Sequence, residues 1–181
     1  MDRSQGVRLA LVGLSGAGKT TVGRALAEGL GWPFHDLDQR LVTALGRSVA
    51  QIFAAEGEAG FRNHETAELV RLTAFPPPLV LAAGGGLVVA PENRRVLKDE
   101  YHVIWLRVDP LEASRRLAAA SDRPLLSPDD PAGDLRRLLA RREGMYREAA
   151  DTVFDAGDGA PPADVARAIL DLLSGGIHKV I

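Results

Sequence analysis

The stretch Gly13-Leu14-Ser15-Gly16-Ala17-Gly18-Lys19-Thr20 decides the fold. It satisfies G-x-x-x-x-G-K-[ST] without a gap. Residues 7–12 (VRLALV) precede it as a short apolar run, the mark of a buried strand. Lys19–Leu30 follows, with Val22, Leu26 and Leu30 at helix spacing on one face. A strand, a glycine loop and a helix N-terminus in that order make an anion cradle. The glycines let backbone N–H groups converge on a phosphate, and the helix dipole favours negative charge there. Gly13, Leu14, Ser15, Gly16, Ala17, Gly18, Lys19, Thr20 and Thr21 are therefore the candidate ATP-binding residues. Lys19 is expected to reach the β- and γ-phosphates, and Thr20 to ligate Mg²⁺ directly. A dinucleotide loop is the nearest rival, but from Gly16 the order runs G-A-G-K-T-T and lacks its third glycine. Asp36 and Asp38 sit where a ribose-binding acid would lie, so the lysine–threonine pair is what decides.

Outward from the loop, apolar strands alternate with helices. Residues 34–37, 79–83, 101–108 and 152–154 read as further strands. Residues 49–55 (capped by Ser48), 58–75, 91–98, 111–119, 134–149 and 162–174 read as helices. Strands that are apolar throughout are covered on both faces, which implies a parallel sheet in a three-layer α/β/α arrangement. Residues 121–133, with three prolines and three aspartates, read as a mobile loop, and residues 175–181 as a frayed tail.

The bulk properties narrow the class. The chain has 181 residues, a length that suggests a single domain over 1–181. A net charge of −2 provides no broad basic field, so no nucleic-acid partner is expected. With no cysteine, disulfides and thiolate metal sites are excluded. No stretch approaches the ~20 apolar residues of a membrane span, so no membrane partner and a cytoplasmic location are expected. Only Lys19, Lys98 and Lys179 are lysines; the arginine bias fits genomic composition as well as phosphate binding. His35, His64, His102 and His178 lack metal-ligand spacing. The Arg136-Arg137 and Arg141-Arg142 pairs read as a solvated helix face.

Two absences separate this chain from motors and switches. The 79–83 strand carries no acid for Mg²⁺, and no N-K-x-D guanine-reading tetrapeptide occurs. Instead the strand enters Gly84-Gly85-Gly86, where α/β folds bind ligands and bare backbone can approach a substrate. A small-molecule kinase fits best. Arg62, Arg123 and Arg147 are spaced along the chain; taken singly, each reads as a solvated surface residue.

Together, G-L-S-G-A-G-K-T-T-V-G-R (13–24), D-L-D (36–38), G-E-A-G-F-R (57–62), G-G-G (84–86), D-R-P-L-L (122–126) and M-Y-R (145–147) resemble the shikimate kinase family. That resemblance implies a nucleoside-monophosphate-kinase-like fold with a five-stranded parallel sheet ordered 2-3-1-4-5. It implies substrate-binding helices over about 38–75 and a lid over about 121–133. The substrates would be ATP and shikimate, with Mg²⁺ as cofactor, in a monomer. Asp38 would bind the acceptor hydroxyls and accept the proton, and Asp36 would hold Mg²⁺ through water. Arg62 and Arg147 would clamp the shikimate carboxylate. Gly84, Gly85 and Gly86 would line the acceptor, with Phe53 and Phe61 packed on its ring. Arg123 would close with the lid onto the phosphates, joining Lys19 and Asp38 as catalytic, and Arg116 would lie against adenine. A kinase for another carboxylate polyol such as gluconate, and a sensing module without turnover, are the rival readings.

Overall fold

The computed structural model describes residues 6–118, 129–157 and 159–176. Five strands form one parallel sheet: β1 (Arg8–Val12), β2 (Phe34–Asp36), β3 (Leu79–Ala82), β4 (His102–Arg107) and β5 (Thr152–Asp155), in the order β2-β3-β1-β4-β5. The helices are α1 (Lys19–Leu30), α2 (Leu37–Leu45), α3 (Val49–Thr73), α4 (Pro91–Glu100), α5 (Pro110–Leu117), α6 (Pro131–Ala149) and α7 (Pro162–Gly176), with a short 3₁₀ turn at Leu87–Val89. Central strands β1, β3 and β4 are apolar because helices cover both their faces. Helix α1 packs on α7 and on β3, while α6 packs on both α4 and α5, and α4 and α6 pack on β4.

The main core holds the central strands with Leu26, Leu69, Leu72, Tyr146 and Ile169. A second, smaller core of Leu41, Ile52 and Phe61 lies between α2 and α3, with Leu45, Val49 and Phe53 packed against it. The α2–α3 arm thus carries apolar packing of its own. Gly57 bends α3 at φ 70 and ψ −177, a left-handed conformation that a side chain resists. The sequence reading of two helices parted at Gly57 describes this kink. Ser48 opens the arm's second helix through a reciprocal capping box with Gln51, at 3.2 and 2.8 Å.

Three expected boundaries move. Residues 34–37 read as a short strand, but β2 ends at Asp36. The Asp36 carboxylate accepts the Gln39 N–H at 3.1 Å and so starts α2, a helix the sequence reading lacked. The loop expected over 121–133 is shorter, because Asp130 caps Gly133 N–H at 2.8 Å and Pro131 begins α6. Residues 121–128 of that loop, like 119 and 120 before it, lie outside the described residues. Helix α7 continues to Gly176, and 177–181 also lie outside.

The Ser48 cap gives a stability test for the arm. Ser48→Ala removes the oxygen that accepts the Gln51 N–H, and it is expected to cost about 1 kcal/mol. Urea unfolding should show a lower midpoint at constant slope, and an unshifted midpoint would refute the capping role.

Candidate active site

The phosphate loop joins β1 to α1. Gly13, Gly16 and Gly18 adopt φ of 141, 81 and 89. A Cβ on Gly13 would lie 2.5 Å from Leu106 O, and one on Gly16 2.4 Å from Ala113 O, so neither position tolerates a side chain. Leu14 and Ala17 turn their side chains into the core, leaving only backbone for a ligand. Lys19 Nζ donates to Gly13 O at 2.9 Å and Leu14 O at 2.8 Å. Thr21 is exposed and donates to Gly18 O at 3.3 Å. Ser15, Lys19, Thr20, Asp36, Asp38, Gly85 and Arg116 line one cavity of roughly 370 Å³. Thr20 Oγ1 donates to Asp36 Oδ2 at 2.6 Å. This hydroxyl–carboxylate pair is a hard oxygen donor set, which suits Mg²⁺. Among the described residues no three His, Cys, Asp or Glu side chains cluster as a cation cage.

The other half of the site gathers at the turn after β3. Gly84 carries neighbours on its open side: a Cβ there would lie 2.2 Å from Glu65 Oε1 and 3.0 Å from Asp38 Oδ1. At Gly86 a Cβ would lie 2.2 Å from Arg62 Nη2. Arg62, on α3, bonds Glu65 through Nη1 and Glu58 through Nη2. Asp38 sits in the first turn of α2, where the helix dipole favours a carboxylate. Phe53 and Phe61 pack with ring centroids 4.6 Å apart, and the Arg62 guanidinium lies 5.4 Å from the centre of the Phe61 ring. From α6, Arg142 Nη1 donates to Gly85 O at 3.1 Å, and Tyr146 Oη donates to the same oxygen at 2.5 Å.

Arg147 does not join this group. It pairs with Glu143 at 3.1 Å, leans on Trp105, and is 61% exposed. Arg142, five residues earlier, is 9% exposed and reaches the glycine turn instead. The expectation that residues 141 and 142 both belong to a solvated face is therefore corrected for Arg142. The helix turns Arg142 inward because Tyr146, four residues on, faces the same way. That i,i+4 relation to a buried aromatic was the available signal. Arg116 lines the phosphate cavity and donates to Gly157 O at 3.1 Å. Arg123 lies outside the described residues.

Glu65 is the other residue the sequence reading lacked. It is fully buried, and burial pushes its carboxyl up to about 7. Arg62 and Arg142 oppose that shift, while Asp38 adds to it.

A family model described as shikimate kinase matches residues 15–174. The chain belongs to the shikimate kinase family. A shikimate kinase of Bordetella avium is 45% identical over 163 residues, 90% of this chain and 77% of the relative. A shikimate kinase of Burkholderia pseudomallei is 40% identical over 97% of this chain and 95% of the relative. The solved shikimate kinase of Acinetobacter baumannii, in complex with shikimate, superposes with a TM-score of 0.91 at 40% identity, covering 96% of each chain. Family membership agrees with the sheet order and with the glycine loop, and it gives this chain ATP-dependent phosphotransfer.

The buried Glu65 predicts a pH signature. A carboxyl raised from 4.5 to about 7 binds its proton more tightly in the folded state than in the unfolded. Its contribution to stability therefore falls as pH rises through that window. Glu65→Gln should remove this downward slope between about pH 4.5 and 7. Urea midpoints measured across that range check it, and parallel slopes in both proteins would contradict it.

Proposed function

We infer that this chain is a shikimate kinase, transferring the γ-phosphoryl group of ATP to the 3-hydroxyl of shikimate to give shikimate 3-phosphate and ADP. One observation carries the reading: the phosphate loop and the acid–arginine group meet at a single turn, Gly84 to Gly86. A nucleotide cradle on one side of bare backbone faces a carboxylate-binding group on the other. The Acinetobacter baumannii relative, solved with shikimate, supports the choice of acceptor. No separate observation favours gluconate or a sensing role.

The proposed roles follow from residue chemistry. Backbone amides of residues 13–20 and the Lys19 ammonium hold the phosphates and offset charge on the transferring group. Thr20 would ligate Mg²⁺ and Asp36 would hold it through water, and the ion would supply charge neutralisation at the phosphate oxygens. Asp38 orients the acceptor hydroxyl and accepts its proton as the new O–P bond forms and the γ-phosphoryl leaves ADP. Arg62 and Arg142 hold the acceptor carboxylate, with Arg142 taking the place expected of Arg147. Gly84 to Gly86 supply the acceptor wall, and Phe53 and Phe61 the apolar side. Arg116 flanks adenine, and Arg123, outside the described residues, is assigned to the phosphates by the family resemblance alone. No helix among the described residues is long and apolar enough to cross a membrane. A single-domain, monomeric, cytoplasmic enzyme is the working picture.

Two experiments test this. ADP release measured over a panel of hydroxy acids should give Mg²⁺-dependent turnover with shikimate and little with gluconate. No shikimate-dependent signal would end the reading. In the same assay Arg62→Ala and Arg142→Ala should each raise KM for shikimate about 10- to 100-fold, as loss of a hydrogen bond to a charged group implies. Arg147→Ala should stay within about twofold, as for a surface pair. Asp38→Asn should lower kcat by about 10²-fold or more. A KM effect at Arg147 with none at Arg142 would restore the sequence-based assignment.

A further inference from the structure

Gly85 is the point where the two halves of the site touch. Its carbonyl faces α6, accepting Tyr146 Oη at 2.5 Å and Arg142 Nη1 at 3.1 Å. Its open side faces the phosphate loop: a Cβ there would lie 3.2 Å from Ser15 N and 3.3 Å from Ser15 Oγ. The Gly85 carbonyl and the Gly86 N–H belong to one planar trans peptide, so they point in opposite directions. Fixing the carbonyl toward α6 turns the Gly86 N–H away from it. Among the described residues, that N–H takes no part in the fold's own hydrogen bonds.

The two donors to Gly85 O are not equivalent. Arg142 is a long, flexible cation that also has an acceptor carboxylate to hold. Tyr146 has no such freedom. It is completely buried and stacks on Trp105 with ring centroids 5.6 Å apart. Trp105 lies in β4 opposite Val12, the residue before the phosphate loop. Burial pushes the Tyr146 phenol up to about 12, so it stays protonated and remains a donor.

We propose that Tyr146 is a positioning residue for acceptor binding: its hydroxyl fixes the Gly85 carbonyl, and so presents the Gly86 N–H to the acceptor. This rests on the reading of Gly84 to Gly86 as the acceptor wall. Glycine has more freedom to reorient its peptide than any other residue. A run of three glycines therefore needs an outside anchor to hold one orientation. Tyr146 supplies that anchor from the rigid side of the site.

The test compares Tyr146→Phe with Tyr101→Phe. Tyr101 is also buried, but among the described residues its hydroxyl has no hydrogen-bond partner. Tyr146→Phe should raise KM for shikimate about fivefold, the equivalent of one neutral hydrogen bond, with kcat within about twofold. Tyr101→Phe should leave both constants alone. In ¹H–¹⁵N spectra the Gly86 amide should shift on adding shikimate to the wild type and shift less in Tyr146→Phe. An unchanged KM in Tyr146→Phe, or an equal change in Tyr101→Phe, overturns the proposal. So does a loss confined to kcat. Arg62→Ala separates the two layers of inference. If it raises KM while Tyr146→Phe does not, only the positioning role falls; if neither moves KM, the acceptor wall falls as well.

Discussion

The close approach of three side-chain-free residues to three different partners is the constraint on which the site depends. Gly84 meets Glu65 and Asp38, Gly85 meets the phosphate loop, and Gly86 meets the Arg62 guanidinium. A methyl group at Gly84 or Gly86 would overlap a charged side-chain end, so Glu65 or Arg62 would have to leave its place. At Gly85 it would press on the backbone of Ser15 within 3.2 Å, forcing the loop to yield by tenths of an ångström. On the proposed reading of Gly84 to Gly86 as the acceptor wall, the turn would set the distance between nucleotide and acceptor. Phosphoryl transfer needs that distance held, since the protein's contribution is chiefly position and electrostatics.

Charge in the pocket is balanced before any acceptor arrives. Arg62 is bound by Glu65 and Glu58, and Arg142 rests on a carbonyl dipole. Glu65 has no exposed surface, while Glu58 is 53% exposed. The inner carboxylate fixes the guanidinium in place, and on the proposed role of Arg62 the outer one would move into water as an acceptor carboxylate took its position. Leaving Arg62 with no buried partner would cost far more than either pair contributes on its own. The buried acid thus has a structural reason to exist apart from proton transfer.

Much of this was legible in the residues, for a reason. The phosphate loop is encoded by glycines and one lysine–threonine pair, and backbone geometry follows from them directly. The parallel sheet followed from strands apolar on both faces. What escaped was information held in side-chain direction. Arg142 and Arg147 lie on one helix within a run of charges, and only the inward turn of Tyr146 tells them apart. Asp36 looked like the end of a short strand opening at Phe34. Its role as a helix cap depends on the chain reversing at Leu37, which no local propensity demands. Glu65 sits in the ordinary helical stretch R-N-H-E, and its burial comes from the glycine turn of a distant strand.

The site also spans two apolar cores, which bears on how an acceptor is recognised. Asp38 and Arg62 belong to the α2–α3 arm, whose own core is built on Leu41, Ile52 and Phe61. Arg142, Tyr146 and the phosphate loop belong to the main core or its edge. An acid held by both arginines ties the arm to the main body. A neutral polyol of the same shape could reach the hydroxyl site beside Asp38 but would leave the two guanidinium groups without an anion between them. Sites built to bond a polar group reject analogues lacking it far more strongly than apolar pockets reject a missing methylene. The binding free energy of the carboxylate is then available to hold the arm in register with the phosphate loop. On the proposed roles of Arg62 and Arg142, selectivity for a carboxylate and alignment for transfer would come from the same pair of contacts.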